Sequence, residues 1–284
     1  MSVDIIAEKR EKQMLEEVEN KRKGIFKIIK KAGKEILRVY KSDDFLVEIK
    51  SDETPLTIAD KKSNQIILNG LKELFPEIPI LSEESKKIPY GKRKSWKYLW
   101  LVDPLDGTKE FIKKNGEFSI NLALIKEHKS VFGLLYFPVS GLLYYAIKGK
   151  GVFKIDVNGK ISKLPIVRTN KNDKKGLIRV TYSRSHCNQD TKDYIEKIKG
   201  YYQNVQLISV GSALKLAWLA EGKADIYPRL APTMEWDIAA GQIILEESGG
   251  RLLEFYKKTP LIYNKEKLQN RWFIASNNQV QIFQ

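Results

Sequence analysis

The chain has 284 residues, of which 42% are hydrophobic, and its formal net charge is +15. That length supports one large core or two lobes, and no run approaches the roughly 20 apolar residues of a membrane span. The single cysteine, Cys187, excludes an internal disulfide, and the charged start "MSVDIIAEKREKQ" lacks the apolar stretch of a signal peptide, so a reducing, cytoplasmic compartment is expected.

In chain order, "GIFKIIKKAGKEILRVY" carries Ile25, Phe26, Ile28, Ile29, Ala32, Ile36 and Leu37 on one helical face. Residues 1–23 before it form a charged helical extension, expected as a solvated surface feature. A second helix is expected from about Thr57, placed as an N-cap, to Leu74, with Pro76 just beyond. Short strands follow in "IPILSEE", "KYLWLVD", "FSINLALI", "VFGLLYF" and "GLLYYAI", the last two forming a hairpin around "PVSG". The second half alternates strands ("LIRVTYS", "VQLISV", "ADIYPR", "RLLEF") with helices ("DTKDYIEKIKG", "GSALKLAWLAEG", "WDIAAGQIILEESGG"). The lysine-rich "VRTNKNDKKG" marks the lobe boundary, dividing an N-terminal α+β lobe (24–170) from a C-terminal α/β lobe (171–284). This order points to layered sheets with helices between them.

The positive balance attracts polyanions: nucleic acid, acidic lipid or phosphorylated small molecules. The lysines are spread along the chain and form no single tail. No nucleic-acid-binding motif is visible, and the aromatics sit in apolar runs where they read as core. A basic nucleic-acid-binding protein is therefore the alternative of another class. Peripheral contact with an anionic membrane, on the inner face of the cell membrane, remains open beside a merely solvated lysine surface.

The chemistry concentrates in "YLWLVDPLDGTKEF". A strand ending at Asp103 sets a carboxylate at a sheet edge, Pro104 stops the ladder, and Gly107 lets backbone approach a ligand. A helix beginning near Thr108 points its first N–H groups at the same spot. Acids alone bind a cation and donors alone an anion; together they suit a metal–phosphate complex. Glu83 and Glu84 end the strand of "PILSEES", and Asp237 in "APTMEWDIAAG" opens a helix. Oxygen donors without a His or Cys cluster favour Mg²⁺ over zinc.

With "WLVDPLDGT", "SEE" and "WDIAAG" in this order, the chain resembles the inositol monophosphatase superfamily of metal-dependent phosphatases, over roughly Gly24 to Phe273. The words "LDGTKEFIKKNGEFSINLALI", "SRSH", "GSALK" and "YPRLAPT" resemble its CysQ-type 3'(2'),5'-bisphosphate nucleotidase branch. The resemblance implies an α+β fold, the layered α/β/α/β/α sandwich of the inositol monophosphatase and fructose-1,6-bisphosphatase type. It implies Mg²⁺-dependent hydrolysis of the 3'-phosphate of adenosine 3',5'-bisphosphate to AMP by a metal-activated water, with two or three Mg²⁺ ions per site and Li⁺ sensitivity. The same chemistry on inositol monophosphate or another sugar phosphate is the near alternative.

The resemblance also implies the roles. Glu83, Asp103 and the Leu105 carbonyl hold one ion, and Asp103, Asp106 and Asp237 a second; a shared carboxylate sets two ions about 4 Å apart. Glu84 supports them or binds a weaker third ion. Gly107 and Thr108 donate to the scissile phosphate, and Asp60 accepts a proton through Thr108. Thr57 belongs to the same word, with helix capping as its plainer role. His186, Ser212, Lys215 and Arg229 contact the nucleotide and its second phosphate, against structural or surface-charge roles for each taken alone. Cys187 beside His186 is no nucleophile–base pair, because sequence neighbours do not readily orient one another. The expected partner is the small nucleotide, bound by a monomer or homodimer, with no nucleic acid.

Overall fold

A single long helix opens the chain. The computed structural model describes residues 3–42, 47–49, 55–164 and 176–277, and α1 (Val3–Lys41) spans nearly all of the first stretch. Ile25, Ile29, Ala32 and Ile36 recur at helical spacing and are fully buried; each such isoleucine contributes about 1.5–3 kcal/mol. Lys23, Lys27, Lys30 and Lys34 take the opposite, exposed face. The helix does not break at Gly24. Val18 is 0% exposed, and Glu11 lies between Lys126 at 2.5 Å and Lys148 at 2.7 Å. The expected solvated extension is therefore corrected: from about Glu11 onward it docks against the sheet, because apolar contacts and paired charges replace water on its inner side.

β1 (Val47–Ile49) pairs antiparallel with β2 (Pro55–Thr57), and α2 (Ile58–Leu74) follows directly. Thr57 is its N-cap. Thr57 Oγ1 accepts from the Ala59 N–H at 3.2 Å, and Asp60 Oδ2 accepts from the Thr57 N–H at 2.7 Å, which is a capping box.

A seven-stranded sheet comes next: β3 (Ile80–Ser82), β4 (Tyr98–Asp106), β5 (Ser119–Lys126), β6 (Lys129–Phe137), β7 (Leu142–Ile147), β8 (Gly151–Ile155) and β9 (Ile161–Lys163), in that spatial order. β3 and β4 run parallel and the other pairs antiparallel. Short helices α3 (Tyr90–Arg93) and α4 (Thr108–Ile112) flank β4. The expected hairpin is β6–β7.

The second half supplies β10 (Leu177–Ser183), α5 (Gln189–Tyr201), β11 (Asn204–Val210), α6 (Leu214–Ala220), β12 (Ile226–Arg229), β13 (Thr233–Met234), α7 (Glu235–Glu247), β14 (Arg251–Glu254), β15 (Gln269–Asn270) and β16 (Phe273–Ser276). Five of these strands form a sheet in the order β11-β10-β12-β16-β14. The proposed lobe boundary at residues 167–176 lies almost wholly outside the described residues.

Three apolar clusters define the layers. α1 and α2 pack on one face of the seven-stranded sheet, α6 and α7 lie between the two sheets, and α5 covers the outer face of the five-stranded sheet. This is the α/β/α/β/α sandwich. α7 seats tightly because Gly133 in β6 has no side chain: a Cβ there would come within 2.4 Å of the Ala240 carbonyl oxygen. That contact fixes the helix whose first turn holds Asp237. In the five-stranded sheet, β10 and β12 pair only at Val180 and Ile226. Pro228 has no N–H with which to continue the ladder, and beyond it Ser183 and Arg229 line a cavity.

Candidate active site

The site begins at an irregularity in β4. The expected strand end at Asp103 and ladder stop at Pro104 give way to a strand that continues to Asp106. Asp103 faces Asn121 and Asp106 faces Ser119, with a register shift between them. β4 thus carries one residue more than β5 over this span, a β-bulge. Asn121 and Ser119 are two apart and share a sheet face, so Asp103 and Asp106 opposite them share one too. The bulge is held by Ser63 Oγ, which donates to the Pro104 carbonyl at 2.7 Å.

Carboxylate oxygens of Glu83, Asp103 and Asp237 all lie within 4.8 Å of one another, brought together from the end of β3, from β4 and from the first turn of α7. Asp103 is 2% exposed. Burial, then the negative charges of Glu83, Asp106 and Asp237, hold its carboxyl well above the usual range, opposed by the Leu105 N–H at 3.1 Å. Asp237 is pushed up by burial and by Asp106 and Glu83, although it accepts the Met234 N–H at 2.8 Å. Asp106 is raised to about 6, by burial first and by Glu110 and Glu83; Lys215 and Asn121 oppose the shift. Asn121 Nδ2 donates to Asp106 Oδ2 at 3.2 Å.

Such an accumulation of like charge is costly without a cation. The clustered donors are hard oxygens with no His or Cys among them, which fits a hard divalent ion. Asp106 and Leu105 line the same cavity, and the Leu105 carbonyl also accepts from Thr108 Oγ1 at 3.3 Å. Glu84 is not among the residues lining the cavity; its backbone carbonyl accepts from Asn64 Nδ2 at 3.5 Å.

Past the bulge, Gly107 adopts φ +90 and hands the chain to α4. A side chain there would be strained and would press on the Glu117 carbonyl at 3.1 Å. Thr108 Oγ1 donates to Asp60 Oδ1 at 3.2 Å. Asp60 is buried and does not line the cavity; it also accepts from Thr57 Oγ1 at 2.6 Å. Thr57 therefore both caps α2 and holds Asp60.

Further residues from the second half line the same cavity. Lys215 is 4% exposed and donates to the Ser212 carbonyl at 2.6 Å and the Val210 carbonyl at 3.2 Å. Burial lowers its amine to about 8, with Arg229 adding to the shift and Asp106 opposing it. Arg229 Nη2 donates to the Pro232 carbonyl at 2.9 Å. Ser212 sits at φ +43, in the turn before α6 rather than in the helix as expected. Ser212 Oγ and Arg229 Nε are buried without a hydrogen-bond partner, an arrangement that an anionic ligand would satisfy. His186 is lowered to about 4, by burial and then by the positive charges of Arg229, Lys109, Lys215 and Lys113. Its neutral Nε2 lies 3.3 Å from Lys109 Nζ. Glu83, Asp103, Leu105, Asp106, Gly107, Thr108, His186, Ser212, Lys215, Arg229 and Asp237 all line one cavity of about 970 Å³.

Lys109, which lines the cavity, and Glu117, which does not, both escaped the sequence. Lys109 follows Thr108 in "TKEF" and reaches His186. Glu117, in "NGEF", accepts from Arg184 Nη2 at 2.8 Å and from the Gly211 N–H at 2.7 Å. Only the closeness of both to the aspartate word could have singled them out.

Comparison with known proteins agrees with this geometry. The model of the inositol monophosphatase family matches residues 17–282. The 3'(2'),5'-bisphosphate nucleotidase CysQ of Shigella flexneri is 38% identical over 254 residues, 89% of this chain and 98% of its own. The protein of that name from Escherichia coli strain K12 is 36% identical over 260 residues, with the same coverage. Among solved structures, CysQ from Bacteroides thetaiotaomicron superposes with a TM-score of 0.79 at 40% identity, over 90% of this chain and 97% of that one. An inositol monophosphatase from Thermotoga maritima superposes at 0.69 with 25% identity, over 89% and 90%. With the carboxylate cluster, the bulged aspartate strand and the layered sandwich all in place, the chain belongs to the inositol monophosphatase family.

Proposed function

We propose that the chain is a Mg²⁺-dependent phosphatase that removes the 3'-phosphate of adenosine 3',5'-bisphosphate, giving AMP and inorganic phosphate. The observation that carries this is the presence of two opposed charge centres in one cavity. Glu83, Asp103, Asp106 and Asp237 form a negative centre, Lys215, Arg229 and the unpartnered Ser212 Oγ form an anion-binding one, and all of these residues line the same cavity. A substrate with one phosphate uses only the first centre; a nucleotide bisphosphate uses both. The cavity, about 970 Å³, is within the size that encloses such a ligand. The relatives named 3'(2'),5'-bisphosphate nucleotidase point the same way.

Glu83, Asp103, Asp106, Asp237 and the Leu105 carbonyl would hold two or three Mg²⁺ ions. When bound, these supply Lewis-acid charge to the phosphoryl oxygens and acidify the attacking water. The chain's own groups do the rest. Thr108 Oγ1, donating to Asp60, accepts from and so orients the attacking water, whose proton passes through it to Asp60, and the N–H groups of Gly107 and Thr108 hold the phosphoryl oxygens. Water adds at phosphorus, the bond from phosphorus to O3' breaks, and O3' takes up a proton from a second water molecule, the proton held by Asp60 returning to solvent. Lys215, Arg229, Ser212 and neutral His186 hold the 5'-phosphate end and exclude the reversed pose. Thr57 steadies Asp60, and Glu84 supports the ion-holding strand end.

In this proposal the partner is the small nucleotide rather than nucleic acid, and the enzyme works in the cytoplasm as a monomer or homodimer. Among the described residues, no helix is long and apolar enough to cross a membrane. Identifying the nucleotide product tests the orientation. The expected product is 5'-AMP; accumulation of 3'-AMP would reverse the assignment of the two charge centres.

A further inference from the structure

Ser212 lies in the turn joining β11 to α6, and Lys215, in the first turn of α6, donates to the Ser212 and Val210 carbonyls across it. Ser212 holds a left-handed φ of +43, which a serine adopts only when its surroundings impose it. Its Oγ is left without a partner, so the hydroxyl contributes nothing to holding the turn. A second constraint comes from the other half of the molecule. Glu117 lies in the loop between α4 and β5, and its Oε2 accepts the Gly211 N–H at 2.7 Å. Arg184, just after β10, grips the same carboxylate through Nε at 3.1 Å and Nη2 at 2.8 Å, and its Nη2 also donates to the Ser209 carbonyl at 2.8 Å. The carboxylate is thereby aimed at the turn from a fixed direction.

The fit is close on both sides. A Cβ on Gly211 would come within 2.6 Å of Glu110 Cγ and 2.8 Å of the Glu117 carbonyl oxygen. A Cβ on Gly107, in the catalytic turn, would meet that same oxygen at 3.1 Å and Ser212 Cβ at 3.3 Å. Glu117 thus touches the turn that carries the scissile-phosphate donors and the turn that carries the second anion subsite.

We infer that Glu117 is a positioning residue that sets the Gly211–Ala213 turn, which leads into Lys215 of α6, against the catalytic turn, and so fixes the distance between the two phosphate subsites. This rests on the bisphosphate reading above. Glu117 touches no reacting atom; it acts through Gly211. Its loss should therefore weaken recognition of the second phosphate and leave the chemistry at the first intact. The Arg184–Glu117 pair is partly exposed, so its net contribution to folding is small, and its use lies in orientation.

The test compares two substrates that differ only in the 5'-phosphate: adenosine 3',5'-bisphosphate and adenosine 3'-monophosphate. For Glu117→Ala, KM for the bisphosphate should rise at least about tenfold, the scale of one lost charge-assisted hydrogen bond. The kcat, and kcat/KM for the 3'-monophosphate, should stay within about twofold. Glu117→Gln is isosteric and keeps an acceptor without the charge, so its KM should rise by a smaller factor, about threefold. If Glu117→Ala does not fold, judged by its melting curve, Glu117→Gln carries the test. Equal losses on both substrates, or no change for the bisphosphate, would overturn the inference. A wild-type enzyme that hydrolyses both substrates with the same KM would instead defeat the bisphosphate reading, and the inference with it.

Discussion

Asp103 and Asp106 face the same side of β4, although three positions apart, because β4 carries one residue more than β5 between them. The bulge thereby concentrates negative charge that folding alone does not neutralise. In the metal-free chain, Asp106 keeps its proton up to about pH 6, whereas an unfolded aspartate releases it near pH 3.9. The native state therefore binds more protons across that window, and this group makes folding less favourable as pH rises from about 4 to about 6, with the full cost present above it. Asp106→Asn removes the cost. In EDTA, the melting temperature of the variant minus that of the wild type should grow over this range and then level off. At pH 7.5, Mg²⁺ should stabilise the wild type more than the variant. A constant gap, or equal stabilisation of both, would contradict the proposed ion site.

Lys215 predicts an alkaline limit on substrate capture. Its buried amine is lowered to about 8, so it is charged below that pH and neutral above. The kcat/KM reports groups on the free enzyme, and for adenosine 3',5'-bisphosphate it should fall as pH rises through about 8. Lys215→Met should lower the plateau at least about tenfold and remove this Lys215-dependent fall. An unchanged alkaline fall in the variant would assign it to another group.

Asp60 and Thr57 separate chemistry from capping. Asp60→Asn removes the proton acceptor behind Thr108 and should lower kcat by about 10²–10⁴-fold with little change in KM. Thr57→Val loses the cap and one donor to Asp60. It should reduce stability by about 1 kcal/mol, read by denaturant unfolding, with a smaller loss of kcat. If Asp60→Asn retained wild-type kcat, its contact with Thr108 would be structural only.

The first half of α1 should matter to stability. Val18 is fully buried, and Glu11 is shared by Lys126 and Lys148. Removing residues 1–18 should lower the melting temperature by several degrees, since each kcal/mol lost is worth about 2–4 °C at this size. A truncated chain that melts with the full one would restore the solvated extension.

The layered fold and the main site were legible because their signals are local. "WLVDPLDGT" joins an apolar strand to paired acids, and the Thr57–Asp60 capping box sits within four residues of sequence. The continuation of β4 past Pro104 was not legible. Proline reads as a strand stop, and only the partner strand shows that one extra residue is absorbed as a bulge. The docking of α1 was hidden for a related reason: Glu11 and Glu19 look solvated until Lys126, Lys148 and Lys150, all distant in sequence, are seen opposite them. Glu117 is an ordinary loop acid in sequence. Its hold on Gly211 spans 94 positions and exists only once the two halves meet.

The most direct measurement is phosphate release from adenosine 3',5'-bisphosphate beside inositol 1-phosphate, in one Mg²⁺ buffer, with an EDTA control. The two opposed charge centres predict Mg²⁺-dependent release with strong preference for the nucleotide. Preference for the inositol ester would leave the carboxylate cluster as a phosphatase centre and contradict the assignment of Ser212, Lys215 and Arg229 to a second phosphate.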